Sequence, residues 1–188
     1  MTAPSGTQSL AASLLLRARA VGFCAQLFAE DTGPEEAAAS LLEVLSLMGE
    51  TIDGAPVIVS AGFRKPMLNG EVPAYETSYG PAPGAAGGQT FQMADIAGFY
   101  HAFGFEVRGQ RPDHIAPELE FVALTLAKEA YARLSGEAEG GEICAEAREK
   151  FLAEHLCRWL PLIAERAESG GHEDLAAAAR LVNRVLVV

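Results

Sequence analysis

The stretch that decides the fold is Arg111-Pro112-Asp113-His114-Ile115-Ala116-Pro117-Glu118-Leu119-Glu120-Phe121. It brings three carboxylates and a histidine to the start of a segment, about residues 114–134, in which apolar residues recur at helical spacing. Charged side chains are rare inside helical cores, because an unpaired buried carboxylate carries a large free-energy cost. The stretch therefore predicts the start of a long core helix at which charged groups have a specific role.

A helical projection of residues 113–134 separates polar from apolar positions. Four polar residues share one side and predict the solvent face of the helix: Glu118, Thr125, Glu129 and Arg133. Glu120 falls within the apolar arc instead, beside Leu124 and Tyr131. We therefore expect Glu120 to be a buried structural carboxylate that needs hydrogen-bond donors, a cation or a proton.

Two further groups at the helix entrance are candidates for a specific role. Asp113 directly precedes the helix and is predicted to be its N-cap, accepting a hydrogen bond from an early backbone N–H group. His114 and Glu118 are four residues apart and would meet on one side of the helix. Such a pair suits acid–base chemistry, but the sequence shows no nucleophile and no set of metal ligands to complete a site. Capping and ion pairing are the favoured roles.

The remainder of the chain predicts an all-α fold. Alanine is abundant, and β-branched residues are sparse outside residues 57–59 and the C-terminal tail. Apolar spacing predicts further helices at about 8–30, 34–48, 91–104, 144–168 and 172–186, the fourth of them kinked by Pro161. Frequent glycine and proline predict a long irregular loop over about residues 50–90. At 188 residues, we expect a single domain spanning 1–188.

Charge and composition limit the possible partners. The formal net charge of −11 argues against nucleic acid, whose phosphates would be repelled, and favours a basic partner. The three cysteines lack a C-x-x-C spacing, so neither a disulfide framework nor a zinc knuckle is predicted. No apolar run approaches the roughly 18 residues of a membrane span, and no secretory signal pattern is present. These features predict a soluble, cytoplasmic protein without membrane insertion.

Two other segments carry candidate residues. His155 lies at four-residue steps from Phe151 and Trp159, so it is predicted to be a buried structural histidine within an aromatic stripe. Tyr75 and Tyr79 flank a carboxylate and two hydroxyls in the irregular region. This composition suits the edge of a peptide-binding groove, although the tyrosines would equally serve to pack the loop against the core.

Taken together, these segments resemble the TorD/DmsD/NarJ family of redox-enzyme maturation chaperones. The resemblance covers about residues 73–165. It lies in four segments in order: Tyr75–Tyr79; Ala94–Tyr100 with Phe103–Phe105; Arg111–His114 with Glu118–Phe121; and Phe151 with Glu154–Leu156 and Trp159–Pro161. The resemblance implies an all-helical bundle without catalytic activity or a cofactor of its own.

The resemblance also implies a partner and a site. The partner would be the apo catalytic subunit of a molybdopterin oxidoreductase of the DMSO-reductase type, kept competent for molybdenum cofactor insertion and often bound through its twin-arginine signal peptide. In this family the Asp-His pair and the loop before it are implicated in peptide recognition. That role carries over to Asp113 and His114 and, by position, to Tyr75 and Tyr79. Glu76, Arg111 and Glu118 complete the candidate client-binding set, with Asp113 and Glu76 as candidates for pairing with client arginines.

Two other functions stay open on the sequence alone. One is a helical interaction or regulatory module without a molybdoenzyme client. The other is an enzyme that uses Asp113, His114 and Glu118 as an acid–base or metal site, although no ligand set for a metal is evident. The sequence leaves both a monomer and a dimer open.

Overall fold

A computed structural model describes residues 6–29, 33–50, 62–80 and 88–187. Over these ranges the protein is all-α, as predicted, and only an isolated bridge between Tyr75 and His114 has extended pairing. The helices are α1 (Gly6–Phe28), α2 (Pro34–Leu47), α3 (Lys65–Leu68), α4 (Gly88–Ala102), α5 (Ile115–Leu134), α6 (Ala138–Glu154), α7 (Leu156–Ser169) and α8 (Glu173–Val187). A short 3-10 turn covers Glu76–Tyr79.

Helix α5 is the centre of the bundle. It packs most extensively along α1 and α6 and also contacts α7, while α2 covers α1 and α8 covers α7. Phe121 is fully buried, and the rings of Tyr100 and Phe151 lie 5.2 Å and 4.7 Å from its ring centroid. Burial of each such side chain stabilises the fold by about 2 kcal/mol. This aromatic cluster fixes α4 and α6 against the first turns of α5.

Helix α1 is long and apolar enough, by length and composition alone, to cross a membrane. In the folded protein it packs along α5 and α2 and buries Leu14, Val21 and Phe28 in the core. The core helix of a globular domain passes the same test of length and hydropathy. In this structure α1 is a core helix of the bundle, and its apolar residues contribute to the core.

The predicted orientation of α5 is wrong. Glu118, Thr125 and Glu129 are between 0% and 3% exposed, although they were assigned to the solvent face. Glu120, predicted to be buried, is exposed. The projection failed because α1, α6 and α7 all pack on α5, which leaves the arc around Glu120 as its most open side. Polar residues consequently occupy buried positions on a helix with three packed sides.

Two of the buried polar residues of α5, Thr125 and Glu129, have polar partners on α5 and on α6. Thr125 Oγ1 donates to the carbonyl oxygen of Val122, one turn earlier, at 2.8 Å. Glu129 forms an ion pair of 2.8 Å with Arg148 from α6 and another of 2.7 Å with Arg133 from its own helix. These contacts offset the desolvation of the Glu129 carboxylate.

The segment 144–168, predicted to be one helix, forms two helices, because the helical backbone is interrupted at His155. There the backbone adopts φ −122° and ψ −96°, ending α6 and starting α7, and α7 then continues through Pro161. Helix α6 also begins earlier than predicted, with Gly140 and Gly141 inside it. The irregular region contains α3 and the 3-10 turn, and the remainder of that prediction, at 51–61 and 81–87, lies outside the described residues.

Candidate functional site

The 3-10 turn and the start of α5 are joined by backbone hydrogen bonds. The N–H of Glu76 donates to the carbonyl oxygen of Asp113 at 2.8 Å, and the N–H of Ile115 donates to that of Ala74 at 2.9 Å. Because the two segments are far apart in sequence, this pairing is what brings their polar side chains together. Side chains of both segments, Glu76 and Thr77 from the turn and Asp113 from the start of α5, belong to one set of buried polar and charged groups, which we call the buried network.

Asp113 is fully buried, and its carboxylate is occupied by groups of its own chain. Thr77 Oγ1 donates to Oδ2 at 2.7 Å, while Arg111 donates from Nε to Oδ1 at 3.0 Å and from Nη2 to Oδ2 at 2.8 Å. The half-exposed Arg111 guanidinium also lies 4.7 Å from the centre of the Tyr75 ring. The result is a bidentate, charge-assisted pair held between a threonine and an aromatic face.

His114, rather than Asp113, is the N-cap of α5, so the predicted cap is wrong by one residue. Its Nδ1 accepts a hydrogen bond from the N–H of Ala116 at 3.2 Å, which requires an unprotonated nitrogen. Burial lowers the pKa of His114 to about 4, against the opposing attraction of Asp113. The ring is therefore neutral at pH 7, and it meets the Tyr75 ring edge-on with centroids 5.2 Å apart.

Glu118 lies one turn into α5 and is fully buried. Its Oε2 accepts a hydrogen bond from Trp159 Nε1 at 3.1 Å. Burial, followed by the nearby Glu76 carboxylate, raises the pKa of Glu118 well above its usual value. The protonated carboxyl is thus favoured, which removes one charge from a site that already contains two other acidic groups.

Glu76 links the 3-10 turn to three other elements and is only 1% exposed. Its Oε1 accepts from Gln92 Nε2 of α4 at 2.6 Å and from Arg158 Nη1 of α7 at 3.3 Å. Its Oε2 lies 3.0 Å from Nδ1 of His155, at the break between α6 and α7. The Glu76 carboxylate therefore fixes the positions of α4, the helix break and α7 relative to one another.

The opposite nitrogen of His155 points towards the surface. Nε2 lies 3.4 Å from Oδ2 of Asp95 on α4. Glu154, the last residue of α6, brings a second carboxylate, so that donor atoms of Asp95, Glu154 and His155 all lie within 4.8 Å of one another. Within the described part of the chain, this group has the composition of a divalent-cation site.

Most of the predicted client-binding residues lie in this network. Tyr75, Glu76, Arg111, Asp113, His114 and Glu118 come together there. Tyr79 lies at the far end of the turn, where it packs on Trp159 at 5.5 Å and donates from its hydroxyl to the carbonyl oxygen of Pro73 at 2.8 Å. Burial raises the pKa of Tyr79 to about 12. His155 belongs to the network and is 2% exposed, whereas Glu120 lines a separate cleft beside Pro117.

Sequence reasoning missed four residues that complete the network: Thr77, Gln92, Asp95 and Arg158. Thr77 and Asp95 lie inside the segments that resemble the chaperone family, but nothing in the sequence singles them out. Their partners are distant in the chain, so no local spacing records the contact. The Tyr75–His114 pairing and the packing of α4 and α7 against the 3-10 turn bring them into place.

A groove of about 490 Å³ between α4 and α6 lies next to the network. Small residues of α4, Ala94 and Gly98 among them, leave its floor open to Phe99 and Phe103, and Ile143 of α6 forms part of the wall. Acidic and basic side chains line it as well: Asp95, Glu146 and Lys150. The groove is therefore an apolar surface with a charged border.

The comparison with protein families assigns this fold and site to a class. The family model described as nitrate reductase delta subunit matches residues 29–165, which include α2 to α6, most of α7 and every residue of the buried network. The class is that of NarJ/TorD-like chaperones, which assist molybdoenzyme maturation and are not catalytic. The chain belongs to the nitrate reductase delta subunit family. Comparisons with curated proteins and with solved structures give no significant match.

Proposed function

We propose that the protein is a cytoplasmic chaperone for the catalytic subunit of a DMSO-reductase-type molybdoenzyme. It holds the apo subunit competent for molybdenum cofactor insertion before assembly or export. The observation that carries the proposal is the family match over residues 29–165, which contains the entire buried network. Chaperones of this family generally act in the cytoplasm and bind a molybdoenzyme catalytic subunit.

The client-binding surface in this proposal combines the α4–α6 groove with the exposed sides of Tyr75 and Arg111. Arg111 Nη2 lies 3.5 Å from Met93 Sδ on α4, so the two parts are adjacent. The apolar groove would accept hydrophobic side chains of the client, and Ile143 is 52% exposed there. An apolar concave surface with a charged border is a typical feature of a protein-binding site.

The buried members of the candidate set support this surface instead of touching the client directly. Glu76, Asp113, His114 and Glu118 are each at most 3% exposed, so client atoms do not reach them in this conformation. Their hydrogen bonds fix the position of the turn that presents Tyr75. The hydrogen bond of Tyr79 to the Pro73 carbonyl holds the other end of the same turn.

Charge favours a basic client segment. The chain carries a formal net charge of −11, and Asp95 and Glu146 add carboxylates to the border of the groove. A twin-arginine signal peptide combines positive charge with an apolar stretch, so it suits both features of this surface. Attraction of that kind raises the association rate and weakens as salt screens the charges.

The proposal is tested by co-expressing the tagged protein with the DMSO-reductase-type catalytic subunit of the same organism, in cells unable to make the molybdenum cofactor. We expect the apo subunit to co-purify, and its molybdenum content after cofactor is restored to be higher with the chaperone than without it. If neither effect occurs, the proposed function is wrong.

Matched variants locate the surface. Ile143→Asp places a charge in the groove, whereas Leu47→Asp places one on the exposed face of α2, where Leu47 is 64% exposed. We expect Ile143→Asp to reduce recovery of the subunit at least about tenfold and Leu47→Asp to leave it unchanged. Full recovery of the subunit with Ile143→Asp would be consistent with the proposed function but would exclude the groove as the client-binding surface. Synthetic signal peptides with the paired arginines intact or replaced by glutamine test whether that segment is the ligand.

A further inference from the structure

The helix break at His155 places its two ring nitrogens in different surroundings. Nδ1 faces inward, 3.0 Å from Glu76 Oε2, and Nε2 faces outward, 3.4 Å from Asp95 Oδ2. The ring itself is buried between Phe99 and Phe151, with centroids 5.7 Å and 4.9 Å away. These contacts fix the direction in which Nε2 points.

Nε2 has no hydrogen-bond partner among the described residues, although it is buried. When Nδ1–H donates to Glu76, Nε2 carries a lone pair and needs a donor or a cation. The groups closest to it in the cluster are the carboxylates of Asp95 and Glu154, which only accept when ionised. Three electron-rich atoms thus lie close together, and Lys150 pairs only loosely with one of them, the Glu154 carboxylate.

We propose that Asp95, Glu154 and His155 bind a divalent transition-metal ion. Two ligands of a tetrahedral ion with bonds of about 2.1 Å lie about 3.4 Å apart. The separation of Asp95 Oδ2 and His155 Nε2 is 3.4 Å. Glu154 completes a group whose donor atoms lie within 4.8 Å of one another, and its exposed side chain can close the remaining distance by a rotamer change. One imidazole and two carboxylates suit Zn²⁺ or Mn²⁺.

The surroundings of His155 match those of a metal-binding histidine. In protein metal sites the second ring nitrogen of such a histidine almost always donates to a carboxylate or carbonyl, which fixes the tautomer. Glu76 provides that carboxylate here and is itself held by Gln92 and Arg158. The competing cation is Lys150, whose Nζ is 3.9 Å from Glu154 Oε2 in an exposed, loose pair. Water displaces such a pair easily.

The metal would connect α4 to the break between α6 and α7. Asp95 comes from α4 and also lines the α4–α6 groove, whereas Glu154 and His155 come from the break itself. A bound ion therefore lies at the edge of the groove and holds its two walls together. Three protein ligands leave a coordination position open to water or to a donor atom of a bound partner.

The test is isothermal titration of the chelator-treated full chain with zinc chloride, followed by Co²⁺ absorption spectroscopy. We expect one ion per chain, a higher melting temperature with metal, and visible d–d bands with Co²⁺. Asp95→Asn and Glu154→Gln change exposed side chains and should fold normally, which circular dichroism checks. Each is expected to weaken binding at least about tenfold.

Glu146→Gln is the matched control, because Glu146 is an exposed carboxylate of the same groove that lies outside the cluster. Its affinity for zinc should equal that of the unaltered chain. The proposal is overturned if the chain binds no zinc, or if Asp95→Asn and Glu146→Gln bind it equally well.

Discussion

Replacement of His114 by asparagine should make stability less sensitive to acid. His114 caps α5 through an unprotonated Nδ1, and burial lowers its pKa from 6.5 to about 4. The unfolded chain therefore binds a proton at this residue at a higher pH than the folded chain does. Stability from this source is fully present above about pH 6.5 and is lost as the pH falls towards 4. Asparagine supplies a side-chain oxygen as the capping acceptor in place of Nδ1, and it does not titrate.

The size of the effect follows from the two pKa values of His114. With 6.5 in the unfolded state and about 4 in the folded state, linkage gives the dependence on pH directly. Acidification from pH 7 to 5 should remove about 2 kcal/mol of the free energy of unfolding, and a further fall to pH 4 should bring the loss to about 3 kcal/mol. The corresponding contribution of asparagine is zero at every pH.

Urea unfolding at pH 7, 6, 5 and 4 measures this difference. Other titrating groups act on both proteins, so the His114→Asn difference isolates the histidine. We expect the unaltered chain to lose about 2 kcal/mol more than the variant between pH 7 and 5. A difference that stays constant over that range would refute the burial argument, as would an NMR titration of the His114 ring with a midpoint near 6.5.

Three further changes test other parts of the network. Glu118→Gln should reduce the loss of stability that occurs as the pH rises above 4.5. The raised pKa of Glu118 makes the folded chain keep a proton that the unfolded chain releases, and glutamine removes this difference. Urea midpoints at pH 5 to 8 measure the effect. Arg148→Met should cost about 3 kcal/mol in urea unfolding, since it leaves Glu129 buried with one cation fewer, and a loss below about 1 kcal/mol would contradict the ion pair. Tyr79→Phe should cost about 1 kcal/mol in thermal unfolding through the lost bond to Pro73, and an unchanged melting temperature would show that this bond contributes nothing.

Local sequence patterns located several of the helices but not the faces that they bury. Helices over 34–48 and 114–134 follow from proline placement and apolar spacing, and both are present within a residue or so. The orientation of α5 did not follow, because hydrophobic projection assumes one buried side, and this helix has several. The sequence pattern places Glu129 on the solvent face, whereas in the structure it is buried and paired with Arg148 of α6.

The sequence pointed to the segments that form the buried network, but not to their arrangement. The segments around Glu76 and Asp113 could be identified, since their composition resembles a known family. Their mutual contacts depend on pairing between distant parts of the chain, which a single sequence does not record. The helix break at His155 is the clearest case, because residues 144–168 have continuous helical periodicity. His155 Nδ1 lies 3.0 Å from Oε2 of Glu76, a contact with a distant part of the chain that this periodicity does not contain.

The internal arginine pairs affect how a basic client can be recognised. Asp113 already holds Arg111, and Glu76 already holds Arg158, so a client arginine gains either carboxylate only by displacing one of them. Such an exchange leaves the number of charge-assisted hydrogen bonds unchanged and adds little to affinity. Under the proposed function, the free energy of client binding would then come mainly from the apolar groove, and the net charge of −11 would act chiefly on the rate of association.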